Sequence, residues 1–435
     1  MRSTRRAVPR RPVRSRPLSG FGPVFVCTCI ALSVVLCTSA PAIAASVAFP
    51  PARPALAPLV GGGARASTKA TPAAIASAVR AVLDQPAFPL AGLSVGASRG
   101  DDVLFSRSFG VADLATKAAA TAQTVYPISS MTKTFTAAAV MQLVQAGQLK
   151  LSDPVARYVD GLPWGQKVTI AELLDHTSGI PDYINSRPSL LGKDCPAPSG
   201  STAGCTKLSS SQVVGWISDQ PLGFVPGTQF SYSSSNYYLL GLVIERVSGQ
   251  SYLSYLKSHI LSPLGLTHTG MCPASPRPPQ LAVGYVPSSA SPPVWTNLGE
   301  GGIPSSDGFA AGELCSDVGD LLNWGNDLAH GRVVSAASYA QMTTPVRLAG
   351  GTTSPYGYGL QLGGPQGGFI GEFGDQPYVG HTGGQPGFTS VLVHFTDQNL
   401  NIVLLFNSTL TQTEGGSLPA GVVTALLAKV DPAAL

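Results

Sequence analysis

The chain has 435 residues, 44% apolar and only 11% charged, a composition that excludes a disordered chain and allows a large buried core. Its formal charge of +4 belongs to the first 44 residues, which carry seven of the 27 basic residues and none of the 23 acids. What remains is net −3 with no basic patch, so nucleic-acid binding is excluded.

The arginine-rich start, MRSTRRAVPRRPVRSRP, runs into the apolar stretch FGPVFVCTCIALSVVLCTSA and then into an A-x-A spacing at Ala42 and Ala44. This order reads as a secretory signal peptide over 1–44. An uncleaved membrane anchor is the alternative, since the apolar run reaches the roughly 20 residues a span needs. Export to the periplasm or the medium follows from the first reading. Residues 45–71, rich in Ala, Pro and Gly, read as a flexible leader, and 72–435 as one folded domain.

That domain opens with a helix over 71–85, with Thr71 as N-cap and Pro72 in the first turn. GLSVGASRGDDVLFSRSFGVADL reads as two strands around a Gly-Asp turn. A small-residue helix starts near Ser130 and ends near Gly147. TIAELLDHTSGI is a short helix with a capping box from Thr169 to Glu172. A polar stretch, 183–212, reads as a long loop that walls a cleft or is braced as plain surface. NYYLLGLVIERVSG and DVGDLLNWGNDLAHG are helical, the second stopped at Gly331. TSVLVHFTDQNLNIVLLFNST is a hairpin around Asp397-Gln398-Asn399, and a helix over 418–430 closes the chain. Strands at both ends with helices between predict an α+β fold: an antiparallel sheet from N- and C-terminal segments beside a mainly helical subdomain.

Of seven cysteines, Cys27, Cys29 and Cys37 fall in the signal segment. Cys195, Cys205, Cys272 and Cys315 remain, and in an exported chain four cysteines predict two disulfides. Three connectivities are open; Cys195–Cys205 with Cys272–Cys315 is the expected one, because the first pair closes a short loop. Neither C-x-x-C nor H-E-x-x-H is present and the six histidines are scattered, so no metal or other cofactor is expected.

The chemistry starts at YPISSMTKTFTAAAV. Ser130 and Lys133 are three residues apart and share one helix face. Serine needs a base to become a nucleophile, and lysine is a base only when neutral, as burial would make it. A second S-x-x-K, Ser254 to Lys257, sits among large residues without supporting partners and reads as a surface lysine. His176 in DHTSG reads as a structural residue that holds a turn.

Tyr232 in PGTQFSYSSSNYYLLG and His381-Thr382-Gly383-Gly384 in GHTGGQPGF follow in order. Ser-x-x-Lys, a tyrosine motif and a Lys/His-Thr-Gly motif together resemble the serine β-lactamase and penicillin-binding DD-peptidase superfamily. The flanking LLDHTSGI and AAGELCSDVGDLLNWG place the resemblance nearest its class C-like branch of β-lactamases, DD-peptidases and esterases, over roughly 73–430. The resemblance implies that Ser130 forms an acyl-enzyme, Lys133 takes its proton, and Tyr232 shares the base role and protonates the leaving group. Ser130 and Gly384 would supply the oxyanion-hole N–H groups. Ser234, His381, Thr382 and Gly383 would contact substrate.

Ser234 stands where the family usually has Asn, and His381 where β-lactamases usually have Lys. Histidine is mostly uncharged at neutral pH, so a carboxylate anchor would be weak. S-D-N is absent, which disfavours a class A mechanism. The expected function is hydrolysis of an amide or ester, in a D-amino-acid peptide or a simple ester. A class C-like β-lactamase and a penicillin-binding sensor are the alternatives. The expected partner is a small-molecule or peptide substrate, with no obligate protein partner.

Overall fold

A computed structural model of the chain describes residues 70–85, 90–186, 209–272, 280–289, 293–300, 308–364, 376–410 and 418–431. The signal segment, most of the leader, Cys195 and Cys205 lie outside the described residues.

Helix α1 (Pro72–Leu83) begins as expected: the Thr71 side chain accepts a hydrogen bond from the Ala74 N–H at 3.2 Å. Strands β1 (Gly92–Arg99) and β2 (Asp102–Asp113) form a hairpin, followed by short strands β3 (Ala118–Ala119) and β4 (Tyr126–Pro127). The middle of the chain is helical: α2 (Thr132–Gln145), α3 (Ile170–Leu174), α4 (Tyr183–Ser186), α5 (Ser210–Ser218), α6 (Ser234–Ser248) and α7 (Tyr252–Leu256). Four strands that the sequence reading did not foresee come next: β5 (Gly270–Met271), β6 (Val283–Pro287), β7 (Trp295–Glu300) and β8 (Leu314–Ser316). Helices α8 (Val318–Ala329) and α9 (Ala336–Met342) lead into β9 (Gln361–Gly363), β10 (Tyr378–Gln385), β11 (Phe388–Phe395) and β12 (Leu400–Phe406), and α10 (Leu418–Val430) follows.

The main sheet has seven strands in the order β3-β2-β1-β12-β11-β10-β9, with neighbouring strands antiparallel. The N-terminal strand β1 thus pairs with the C-terminal strand β12, Leu93 opposite Phe406 and Arg99 opposite Leu400. Alternation assigns the faces. Leu93, Val95 and Ala97 point to one side, into a core shared with Ile75 and Val79 of α1 and Val422 and Leu426 of α10. Gly96 points to the other, where a Cβ would come within 2.5 Å of Val318 and 2.8 Å of Leu322, so glycine is what lets α8 lie close on the sheet.

Helix α2 is buried almost all round, as its run of Ala, Val, Met and Thr requires. Phe135 stacks on Trp324 of α8 with ring centroids 3.9 Å apart, and the indole N–H donates to the Thr134 hydroxyl at 2.9 Å. These contacts fix α2 between the sheet side and the helical subdomain. Cys272 and Cys315, next to or on the paired strands β5 and β8, are in bonding contact. Among the described residues, no helix is long and apolar enough to cross a membrane.

Candidate active site

The start of α2 is preceded by a tight turn at Ser129–Met131, and Ser129 holds the left-handed region with φ 48°. A non-glycine residue there carries backbone strain that its surroundings must hold in place. They do so through side chains: the Ser129 hydroxyl donates to the Gln385 amide oxygen at 2.9 Å, and the Ser390 hydroxyl donates to the Ile128 carbonyl at 2.8 Å. Ser130 follows, half-buried in the middle of this turn.

Lys133 lies one turn further on and is 0% exposed. Its Nζ reaches three oxygens: Ser130 Oγ at 3.1 Å, Ser234 Oγ at 3.4 Å and the Ala311 carbonyl at 2.7 Å. Burial lowers its pKa from 10.5 to about 7, while the Asp182 carboxylate pulls in the other direction. Near neutral pH the amine is therefore available as a base. Nζ also sits 4.9 Å from the Tyr232 ring centroid. Tyr232 is hydrogen-bonded to Ser130, and burial pushes its hydroxyl well above the ordinary tyrosine value, so it stays a phenol.

The segment that carries Tyr232 is fixed from both sides by His176. The Ser231 N–H donates to the His176 carbonyl at 3.0 Å, and the Ser233 N–H donates to His176 Nδ1 at 3.2 Å. Asn236 also donates to that nitrogen, at 3.1 Å, which leaves the imidazole proton on Nε2. His176, with φ 61°, is the structural turn residue that its sequence context suggested.

The Lys/His-Thr-Gly motif lies on a strand, β10, which packs against the Ser129–Met131 turn. Strand β9 pairs with β10 only as far as Gly380, so the Thr382–Gln385 half has an open edge. The Thr382 N–H points to that edge and donates to the Gln361 side chain at 3.1 Å. By the period of a strand, the Gly384 N–H faces the same edge. Gly383 must be glycine: a Cβ would fall 2.1 Å from the Ile128 carbonyl, in the turn before Ser130. A Cβ on exposed Gly384 would meet nothing within 4 Å, which leaves open space beside it.

His381 sits differently from a substrate-facing residue. It is 0% exposed, its Nδ1 donates to the Thr382 carbonyl at 2.5 Å, and its Nε2 accepts from the Tyr356 hydroxyl at 2.8 Å. Burial, with the nearby Lys133 charge, lowers its pKa from 6.5 to about 3. The ring is neutral and both nitrogens are engaged, so in this arrangement it supports β10 rather than offering a cation. The neighbouring Tyr237 hydroxyl donates to the Leu174 carbonyl at 2.6 Å.

The structure therefore brings Ser130, Lys133, Tyr232 and Ser234 together, sets Thr382, Gly383 and Gly384 on the adjacent strand, and turns His381 inward. Ser254 and Lys257 are both exposed, away from this cluster. The sequence reading missed Asp182, Tyr237, Tyr356, Gln361 and the Ala311 carbonyl. Asp182 had one available signal, in that it lies two residues after HTSGI, behind Pro181.

A family model described as Beta-lactamase matches residues 76–425. Penicillin-binding protein 4* of Bacillus subtilis (strain 168) is 30% identical over 331 residues, covering 72% of this chain and 67% of that protein. Among solved structures, the octameric penicillin-binding protein homologue from Pyrococcus abyssi is 27% identical with a TM-score of 0.65, over 81% of this chain and 76% of that one. The D-stereospecific amidohydrolase from Streptomyces sp. is 26% identical with a TM-score of 0.65, over 83% of this chain and 98% of that one. The D-amino acid amidase from Ochrobactrum anthropi SV3, at 24% identity and a TM-score of 0.68 over 82% of this chain and 99% of that one, shares the fold. The chain is a serine hydrolase and belongs to the β-lactamase family.

Proposed function

We propose that the protein hydrolyses a small amide or ester through an acyl-Ser130 intermediate, with a D-amino acyl group as the favoured acyl part. The observation that carries the reading is Lys133 Nζ among Ser130, Ser234 and Ala311. A neutral amine has two N–H bonds and one lone pair. The Ala311 carbonyl can only accept, so it takes one N–H, and Ser234 Oγ takes the other. The lone pair is left for the Ser130 hydroxyl.

Ser130 Oγ then bonds to the substrate carbonyl carbon as its proton passes to Lys133. The Ser130 and Gly384 N–H groups receive the oxyanion, a contribution worth roughly 10²–10³ in rate for one such donor. Tyr232, a phenol hydrogen-bonded to Ser130, gives its proton to the leaving amine or alcohol, and the proton on Lys133 replaces it. Water attacks the acyl-enzyme by the reverse relay. Ser234, at the motif position where the family usually has Asn, hydrogen-bonds Lys133.

Two features bear on the substrate. A neutral, buried His381 supplies no fixed cation, which disfavours substrates that need a carboxylate held in place. The likeness to the Streptomyces D-stereospecific amidohydrolase supports the D-amino acyl preference. The likeness to penicillin-binding protein 4* favours a second reading, slow acylation by β-lactams. Export is part of the proposal: the arginine-rich, apolar and A-x-A order of residues 1–44 supports it, as does the contact of Cys272 with Cys315 as an oxidised pair.

The test is turnover of D- and L-phenylalanine amide, p-nitrophenyl butyrate and a fluorescent penicillin by wild type and Ser130→Ala. Ser130-dependent hydrolysis of the D-amide and the ester is expected. A lasting penicillin adduct without turnover of either would move the reading to the second one. Hydrolysis that survives in Ser130→Ala would sink both.

A further inference from the structure

We infer that Asp182 is a positioning residue for the acyl-transfer site, its carboxylate capping α6 from another part of the chain and holding the Tyr232–Ser234 segment against Lys133. The inference rests on the acyl-serine reading above.

The first turn of α6 leaves N–H groups without intrahelical partners. Its N-cap residue, Ser233, makes no side-chain cap hydrogen bond. Asp182 fills that role: Oδ2 accepts from the Ser234 N–H at 3.2 Å, and Oδ1 accepts from the Ile184 N–H at 2.8 Å. The neighbouring contacts clasp the same two segments. The Tyr183 N–H donates to Ser235 Oγ at 3.0 Å, and that hydroxyl donates to the Pro181 carbonyl at 2.6 Å. The capped residue, Ser234, is the one whose hydroxyl meets Lys133, and Tyr232 lies two residues before it. A carboxylate at a helix N-terminus also complements the helix dipole.

The same charge acts on the chemistry. Among the described residues, the titratable groups around Lys133 are Tyr232, Tyr237, His176, His381 and Asp182. The two histidines are neutral and the two tyrosines are phenols, so Asp182 is the charge that balances a protonated Lys133. It favours the ammonium, and so opposes the burial that makes the lysine a base near neutral pH. Burial keeps Tyr232 a phenol, and the Asp182 charge adds to that effect.

The experiment titrates Lys133 by NMR in protein carrying ¹³Cε-lysine, with the signal assigned through Lys133→Met, in wild type, Asp182→Asn and Asp182→Ala. The Asn variant keeps an acceptor for Ser234 and removes the charge. Its Lys133 midpoint should fall by about 0.5–1 pH unit, less than a close buried pair would give, because Asp182 is half-buried. The acid limb of kcat/KM for p-nitrophenyl butyrate should move down with it. Asp182→Ala also removes the cap, and its kcat should fall at least about tenfold below that of Asp182→Asn. A Lys133 midpoint unmoved in Asp182→Asn, or equal kcat in the two variants, overturns the inference. The titration needs no substrate, so failure of the acyl-serine reading, seen as turnover by Ser130→Ala, is a separate result.

Discussion

Lys133 is unusual for a lysine, which rarely sits fully inside a protein without a charge beside it. Three oxygens surround its amine, and none of them belongs to a carboxylate. That environment satisfies the N–H bonds without stabilising the charge as an ion pair would, and the pKa falls to about 7. His381 follows the same logic: two good hydrogen bonds and no charge partner. Replacing it by lysine places a second amine near Lys133 in a site that holds a neutral ring. We expect His381→Lys to lower the unfolding midpoint by several degrees and to leave KM for a carboxylate-bearing β-lactam no better than in wild type. Thermal unfolding and steady-state kinetics check this; a stable variant with a clearly lower KM would show that residue 381 can reach substrate. Ser130 and Lys133 were legible in the sequence because a spacing of three is a local relation on a helix. Asp182, Tyr356 and Gln361 were not, because only the fold brings them to residues 25 to 52 positions away or to the edge of β10.

Elements whose signals are local came through the sequence reading intact. The capping box at Thr169–Glu172 is present in both halves, Gly331 follows the end of α8 with φ 73°, and the β11–β12 hairpin turns at 396–399. Helix α10 spans Leu418–Val430 as expected from its apolar run. Strand β10 was harder to read. Its sequence, YVGHTGGQ, has the glycine content of a turn, yet it is a strand whose glycines allow close approach to the turn at Ile128. Strands β5 and β8 are two and three residues long, too short for any period to show. Their pairing carries Cys272 next to Cys315, one of the two expected disulfide pairs; the other lies outside the described residues.

At the scale of the molecule, the site is a junction. The sheet is closed by pairing the two ends of the chain, β1 with β12, and covered on one face by α1 and α10. Ser130 comes from the turn before α2 and Lys133 from α2 itself, Tyr232 from the segment just before α6, and Gly384 from the sheet. Stability of this assembly depends on pH through its buried histidines. His176, His381 and His394 all have folded pKa values below 6.5, with His381 at about 3 and His394 at about 4, each because burial penalises the charged ring. The unfolded chain therefore takes up these protons first, and the stability present above pH 6.5 is lost as pH falls toward the folded values. Asp175, raised to about 7 by burial, has the opposite slope across the acid range, so a difference between variants is the clean reading. His394 lies on β11, hydrogen-bonded to Asn401 at 3.1 Å. Between pH 6.5 and 4.5, urea unfolding should show wild type losing more stability than His394→Gln. Parallel curves would mean that His394 is not held neutral.

The central claim is that Ser130 carries the acyl group, and trapping that intermediate tests it most directly. Wild type and Ser130→Ala would be mixed with p-nitrophenyl butyrate, quenched in acid within the first turnover, and measured as intact proteins and as peptides. Below pH 7, Lys133 is increasingly protonated and both acylation and deacylation slow, so a pulse near pH 6 brings the first turnover within reach of the quench. The account predicts one butyryl group on the peptide containing Ser130 in wild type and none in Ser130→Ala. A butyryl group on another residue, or ester turnover that persists in Ser130→Ala, would contradict it.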